Sequence, residues 1–290
     1  MFPPELELHI FETTARLHPK SIPSLLRVPR RVLTWIEPIL YETLVISSSK
    51  PPHRAPSFRY VLETKPPSFW DRNVRNLLIQ GHFPESDRAL ACSVLSACTR
   101  LRSLGAFHTQ DGLLPLLAPM RLERLNVDVG RLFGPSLSAY DFHRDPTFMG
   151  LTHFTILDSH KLPAYSQLSL LPELTHLRIG LFNFGLNCPE ISLILSECKH
   201  LRVLISFTAN MDEHVRKEAV HDDPRYVVIA ARLREDWEAE ARGGKLDSWT
   251  RAELFIAKKR RGEILPVSRC WIEKSDMIPG GGSRWIFLPS

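Results

Sequence analysis

The sequence predicts an α/β chain with a short helical module at the N-terminus, an irregular solenoid with parallel strands on its concave side and helices outside, a C-terminal helical cap and a short tail. Three observations carry this. A Leu-x-x-Leu-x-apolar pattern recurs between residues 42 and 230, helix-like spacing fills the gaps between its copies, and the segments before and after the array carry helical periodicity of their own. The expected boundaries are 1–41 for the module, 42–231 for the array, 232–266 for the cap and 267–290 for a tail.

The module opens with Pro3 and Pro4, which suit a helix start because a missing N–H costs nothing there. Glu5 and Glu7 follow in the first turn, where the helix dipole favours acids. Leu6, Ile10, Thr13 and Leu17 keep helical spacing, with Leu8, Phe11 and Ala15 widening the apolar face. After Pro19 and Pro23 comes a short apolar run from Leu25 to Val28, then Val32, Trp35, Ile36, Ile39 and Leu40 at three- and four-residue spacing. Pro38 is expected to end or kink that last helix. Three short helices bury little core, so a partner or the next domain should cover part of their apolar surface.

The run Phe2-Pro3-Pro4-Glu5-Leu6, the pair Ile10-Phe11, the segment 25–32 and the downstream Trp35 resemble an F-box, with Pro29 and Val32 departing from the residues usual in that family. The resemblance implies docking onto the small adaptor subunit of a cullin-RING (SCF-type) ubiquitin ligase, with Pro3, Leu6, Ile10, Phe11, Leu26, Val28 and Trp35 lining or supporting the docking helices. The other reading of these helices is a plain cap on the array.

The repeat segments are 42–46, 74–79, 101–106, 122–127, 151–156, 174–179, 201–206 and 225–230, with central positions 44, 77, 104, 125, 154, 177, 204 and 228. Residues 87–98 and 190–198 are the clearest helices between them, and Val94–Leu104 and Ile194–Leu204 match as whole units, each with a cysteine three residues before the first leucine of its Leu-x-x-Leu pattern, Leu101 and Leu201. The pattern looks like irregular leucine-rich repeats of the cysteine-containing class that often follow F-boxes. Neither the strand nor the helix of one unit can bury its apolar face alone, and stacking does so. A generic α/β sheet built from the same segments is the alternative. Residues 130–149 break the period.

In this pattern the leucines face the core and the third and fifth positions face the concave side. Arg124, Asn126, His153, Thr155, His176 and Arg178 then form a polar, partly cationic patch, read here as a hypothetical substrate-binding surface. Its arginines favour an acidic partner segment. The far end of the row, Val203, Ile205, Val227 and Ile229, is apolar and should be covered by the chain itself, with Trp237, Trp249, Leu254 and Phe255 just downstream. His153 and His176 fall on neighbouring strands, ~5 Å apart, with no third metal ligand evident, so no metal and no cofactor are expected.

The cap reads as a helix over 232–242, a stop at Gly243-Gly244, an Asp247-Ser248 N-cap and a second helix over 249–261. Lys258, Lys259, Arg260 and Arg261 read either as helix-dipole partners or as a nuclear-import or nucleic-acid patch.

Composition narrows the function classes. A hydrophobic share of 43% supports a sizeable core, and a net charge of +5 with pI near 9.0 is too diffuse to argue for nucleic acid. The N-terminus does not read as a secretory signal, no run is long enough to cross a membrane, and five cysteines without a Cys-x-x-Cys pair fit neither a disulfide framework nor a zinc site. A cytoplasmic or nuclear protein is expected. The sequence holds no Gly-x-Ser-x-Gly, phosphate loop or His-Glu-x-x-His, so the expectation is not an enzyme but a substrate-recognition subunit that meets an unknown substrate protein through its repeats. A non-ligase scaffold is the second reading. A divergent hydrolase with its residues in the long loops is a third.

Overall fold

The structure, a computed structural model, describes residues 3–18, 21–27, 30–48, 64–81, 83, 85–107, 112–134, 141–157, 165–180, 189–244 and 247–277. The chain is α/β, with eight strands among the described residues, at the eight predicted repeat segments, and it divides into two compact units, Met1–Leu122 and Glu123–Ser290.

The first unit begins with α1 (Pro4–Leu17), α2 (Ile22–Leu25) and α3 (Arg30–Glu42). Pro4 stands at the start of α1, with Glu5 and Glu7 in its first turn. Ala15, Ile22, Val32 and Ile36 form a small core, joined by Phe11, Leu25, Leu26, Trp35 and Ile39. Leu6, Ile10 and Leu17, expected on the apolar face, point outward instead. The core takes the Phe11 and Ala15 side of α1. Pro38 does not end α3. The helix runs on to Glu42 because Ile36 and Ile39, on either side of the proline, pack into the same core. Thr43 then opens β1 with no intervening loop.

Strands β1 (Thr43–Ser47), β2 (Asn76–Gln80) and β3 (Ser103–Phe107) pair in parallel. Leu44, Leu77 and Leu104 lie in register and are buried. Between and after the strands come α4 (Pro67–Asn73), α5 (Glu85–Ala97) and α6 (Leu114–Leu117). Tyr41 at the end of α3 meets Phe69 and Trp70 of α4 edge-on, with centroids 5.2 and 5.6 Å away. Gly81 closes β2 at φ +102°, and a Cβ there would stand 2.0 Å from Ser48 Oγ.

The second unit holds β4 (Arg124–Val127), β5 (His153–Ile156), β6 (His176–Gly180), β7 (Val203–Thr208) and β8 (Tyr226–Ala230), parallel and in chain order. Leu125, Phe154, Leu177 and Leu204 make the buried ladder. The expected centre of β8, Val228, is displaced by two residues: Leu204 pairs with Tyr226, whose hydroxyl bonds Ser206 Oγ at 3.0 Å. A shift of two keeps every side chain on its face. Helices α7 (Val129–Phe133), α8 (Tyr165–Leu168), α9 (Pro189–Glu197) and α10 (Glu213–Glu218) fill the connections. The stretch that breaks the period packs on its own aromatics: Phe133, Phe142 and Phe148 lie 5.0 to 5.9 Å apart.

The two matched units reproduce each other. Cys98 and Cys198 are buried, and each carbonyl accepts the N–H of the leucine three residues on, Leu101 and Leu201. Burial pushes the Cys98 thiol up to about 12 and that of Cys198 to about 11, so both are packing residues without reactive thiolate character.

The chain ends in α11 (Leu233–Ala241) and α12 (Ser248–Arg260). Asp247 caps α12, accepting from Thr250 N at 2.8 Å. α12 packs on β7 and β8, and Trp237, Phe255, Ile205 and Val227 are fully buried. The stretch expected as tail also begins in packed structure: Cys270 and Trp271 run beside β8, with Val228 N donating to Cys270 O at 2.8 Å.

Candidate functional site

Two surfaces follow from the sequence, one on each unit. On the first, Pro3, Leu6 and Ile10 are exposed, the two large side chains one turn apart on α1 at 44% and 43%. Phe11, Leu26 and Trp35 are half-buried against the small core beneath them. Val28 lies outside the described residues. Ion pairs of Arg31 with Glu7 (2.8 Å) and Arg16 with Glu42 (2.9 Å) tie α1 to α3. The arrangement is an outward apolar stripe on a helix whose other side is held by its own core.

On the second unit the row Arg124, Asn126, His153, Thr155, His176, Arg178 is contiguous across β4, β5 and β6, as their register requires. It is not an open surface. Asn126, Thr155, His176 and Arg178 are buried, and Arg178 is wholly so. The chain itself supplies the acidic partner that the row was expected to recruit. Arg178 Nη1 binds Asp236 Oδ2 of α11 and donates to Ser248 Oγ at 2.6 Å. Its Nη2 donates to Asn126 Oδ1 at 2.8 Å and its Nε to Thr155 Oγ1 at 3.1 Å. The guanidinium also lies over Trp249, 5.0 Å from the ring centroid. Asp236 is saturated in turn: Ser248 N and Ser248 Oγ donate to it at 2.9 and 2.5 Å, and Arg251 approaches at 3.4 Å. The expected substrate surface is therefore an internal lock that fixes α11 and α12 on the strands.

Arg124 and His153 edge this lock. Arg124 is about a third exposed and stands 3.6 Å from Glu240, whose buried carboxyl has no hydrogen-bond partner on either oxygen among the described residues. Burial pushes Glu240 up, against the pull of Arg178 and Arg124, and favours the neutral acid. The rings of His153 and His176 stack at 4.2 Å and 7°, closer than the spacing between strands, with the Trp249 ring edge-on to both. Each Nδ1 meets the hydroxyl of the preceding threonine, Thr152 at 2.9 Å and Thr175 at 2.8 Å, and His176 Nε2 lies 3.3 Å from Glu253. Burial, then the neighbouring His176 and Arg124, lowers His153 to about 2. Burial also lowers His176, although Glu253 opposes it. Both imidazoles are held neutral.

Asp236, Glu240, Ser248, Trp249 and Glu253 complete the lock and were not singled out as its members from sequence. The available signal was the Asp236/Glu240 pair, two acids on one helix face beside the apolar Trp237. The basic run is also turned to internal use. Lys259 is buried, donating to His221 O at 3.2 Å, Lys258 donates to Asp276 O at 2.6 Å, and Arg261 pairs with Glu263. Compared with known proteins, the chain matches no family model, and no curated protein matches it.

Proposed function

We propose that the protein is the substrate-recognition subunit of a cullin-RING ubiquitin ligase, with the N-terminal helices docking the adaptor and the repeat-like strands and helices carrying the substrate-binding function. The observation that supports this most is the N-terminal module. Its three helices follow the F-box-like order of residues, close a core of their own, and still leave Leu6 and Ile10 outside it. In this role the protein makes and breaks no bonds. It brings two proteins together. The lock around Arg178 moves the expected substrate contact off the buried row, to the half-exposed edge at Arg124 and His153 or to the loops. No helix among the described residues is long and apolar enough to cross a membrane, and the proposed role belongs in the cytoplasm or the nucleus. Affinity purification of the tagged chain from its native cells, with mass spectrometry of what is recovered, should yield the adaptor and the cullin. Recovery of other partners without either would favour the second reading.

That second reading is a non-ligase scaffold whose N-terminal helices only cap the strands. The passage of α3 into β1 without a loop, and the packing of Tyr41 on Phe69 and Trp70, favour it.

A further inference from the structure

The first unit contains a groove of about 400 Å³ between α1, α3 and the end of α4. Leu8, Trp35, Pro38 and Ile39 form an apolar wall, and Arg16, Arg72 and Arg75 line the groove as cations. Arg75 is oriented by the carbonyls of Asp71 (3.0 Å), Arg72 (2.6 Å) and Val74 (2.9 Å). These neutral acceptors fix its guanidinium without cancelling its charge. Arg72 is exposed and pairs with no carboxylate among the described residues. Arg16 is matched by Glu42. On α1 the groove takes the Leu8, Glu12, Arg16 row, well round the helix axis from the outward Leu6, Ile10 stripe.

We propose that this groove binds a short acidic segment of a partner protein, with one carboxylate set against Arg72 and Arg75 and a neighbouring large apolar side chain laid on Trp35, Pro38 and Leu8. Charge complementarity selects this occupant. Two arginines without carboxylate partners among the described residues attract a single acid, while Glu12 and Glu42 in the same lining repel an extended polyanion such as a nucleic-acid strand. The size agrees: ligand pockets span about 300–1,000 Å³, so this groove takes one or two side chains and not a whole helix. The inference stands apart from the ligase reading, because it is measured on the chain alone.

The test begins with an array of random short peptides read with the full-length chain, then titrates fluorescein-labelled Phe-Ser-Asp-Glu and Phe-Ser-Lys-Lys peptides. The array should enrich peptides that carry an acid close to an aromatic residue or leucine, and only the acidic peptide should bind in solution. Arg72→Glu should weaken binding by about tenfold or more, the scale of one charge-assisted hydrogen bond. Arg72→Lys should retain most of it, Leu8→Asn should weaken it, and Arg216→Glu, the same charge change on exposed α10, should leave it unaltered. Thermal melts of each variant check the fold. An array without such enrichment, equal binding of the lysine peptide, or equal losses from Arg72→Glu and Arg216→Glu would overturn the proposal.

Discussion

At the scale of single residues the second unit depends on charges taken out of water. Arg178 and Asp236 satisfy each other there, and groups of Asn126, Thr155, Ser248 and Arg251 complete their shells. Removing one partner strands the other, which costs about 3–5 kcal/mol. Asp236→Ala should lose that much in chemical denaturation, and a double Asp236→Leu, Arg178→Met variant should be less damaged than either single change. Glu240 and His153 give stability opposite pH dependences. The Glu240 pKa is raised by burial, so its contribution is fully present below the ordinary 4.5 and is lost as pH rises toward the folded value. Glu240→Gln should therefore raise stability at neutral pH and flatten that slope. The His153 pKa is depressed to about 2 from 6.5, so its contribution is present above 6.5 and is lost as pH falls through that interval. His153→Gln should flatten the acid limb of a stability–pH curve. An unchanged curve in both variants would mean that neither group is held as the geometry requires.

At the scale of elements, α11 and α12 are part of the second unit's core. Deleting residues 232–290 should uncover Val203, Ile205, Val227 and Ile229, each worth ~1.5–3 kcal/mol when buried. Aggregation or a loss of several kcal/mol is expected in thermal and light-scattering measurements, and a monomeric fragment of equal stability would contradict it. The strands were legible in sequence because most of them approximate one local rule, Leu-x-x-Leu-x-apolar, readable at Leu122, Leu125 and Val127 without knowing any neighbour. The cap was legible too, through Gly243 and Asp247. The fate of the polar row was not. Arg178 meets Asp236 and Ser248 across 58 and 70 residues of chain, and no local pattern announces a contact of that range. The same holds for α3. Pro38 argues locally for a break, and Ile36 and Ile39 override it only through the core they share with Ala15 and Ile22.

At the scale of the whole molecule, the proposed ligase role rests on the division of labour between a small helical module and a larger α/β body. The exposed pair on α1 is the part of that account most open to direct trial, because Leu6 and Ile10 can be changed without entering the core. Purified chain and purified adaptor should be mixed at micromolar concentration and followed by size-exclusion chromatography with light scattering. The account predicts a stable complex of one chain with one adaptor, lost in a Leu6→Asp, Ile10→Asp variant that keeps the unaltered thermal melt. Two separate monomeric peaks from the unaltered proteins would contradict it and leave the scaffold as the better reading.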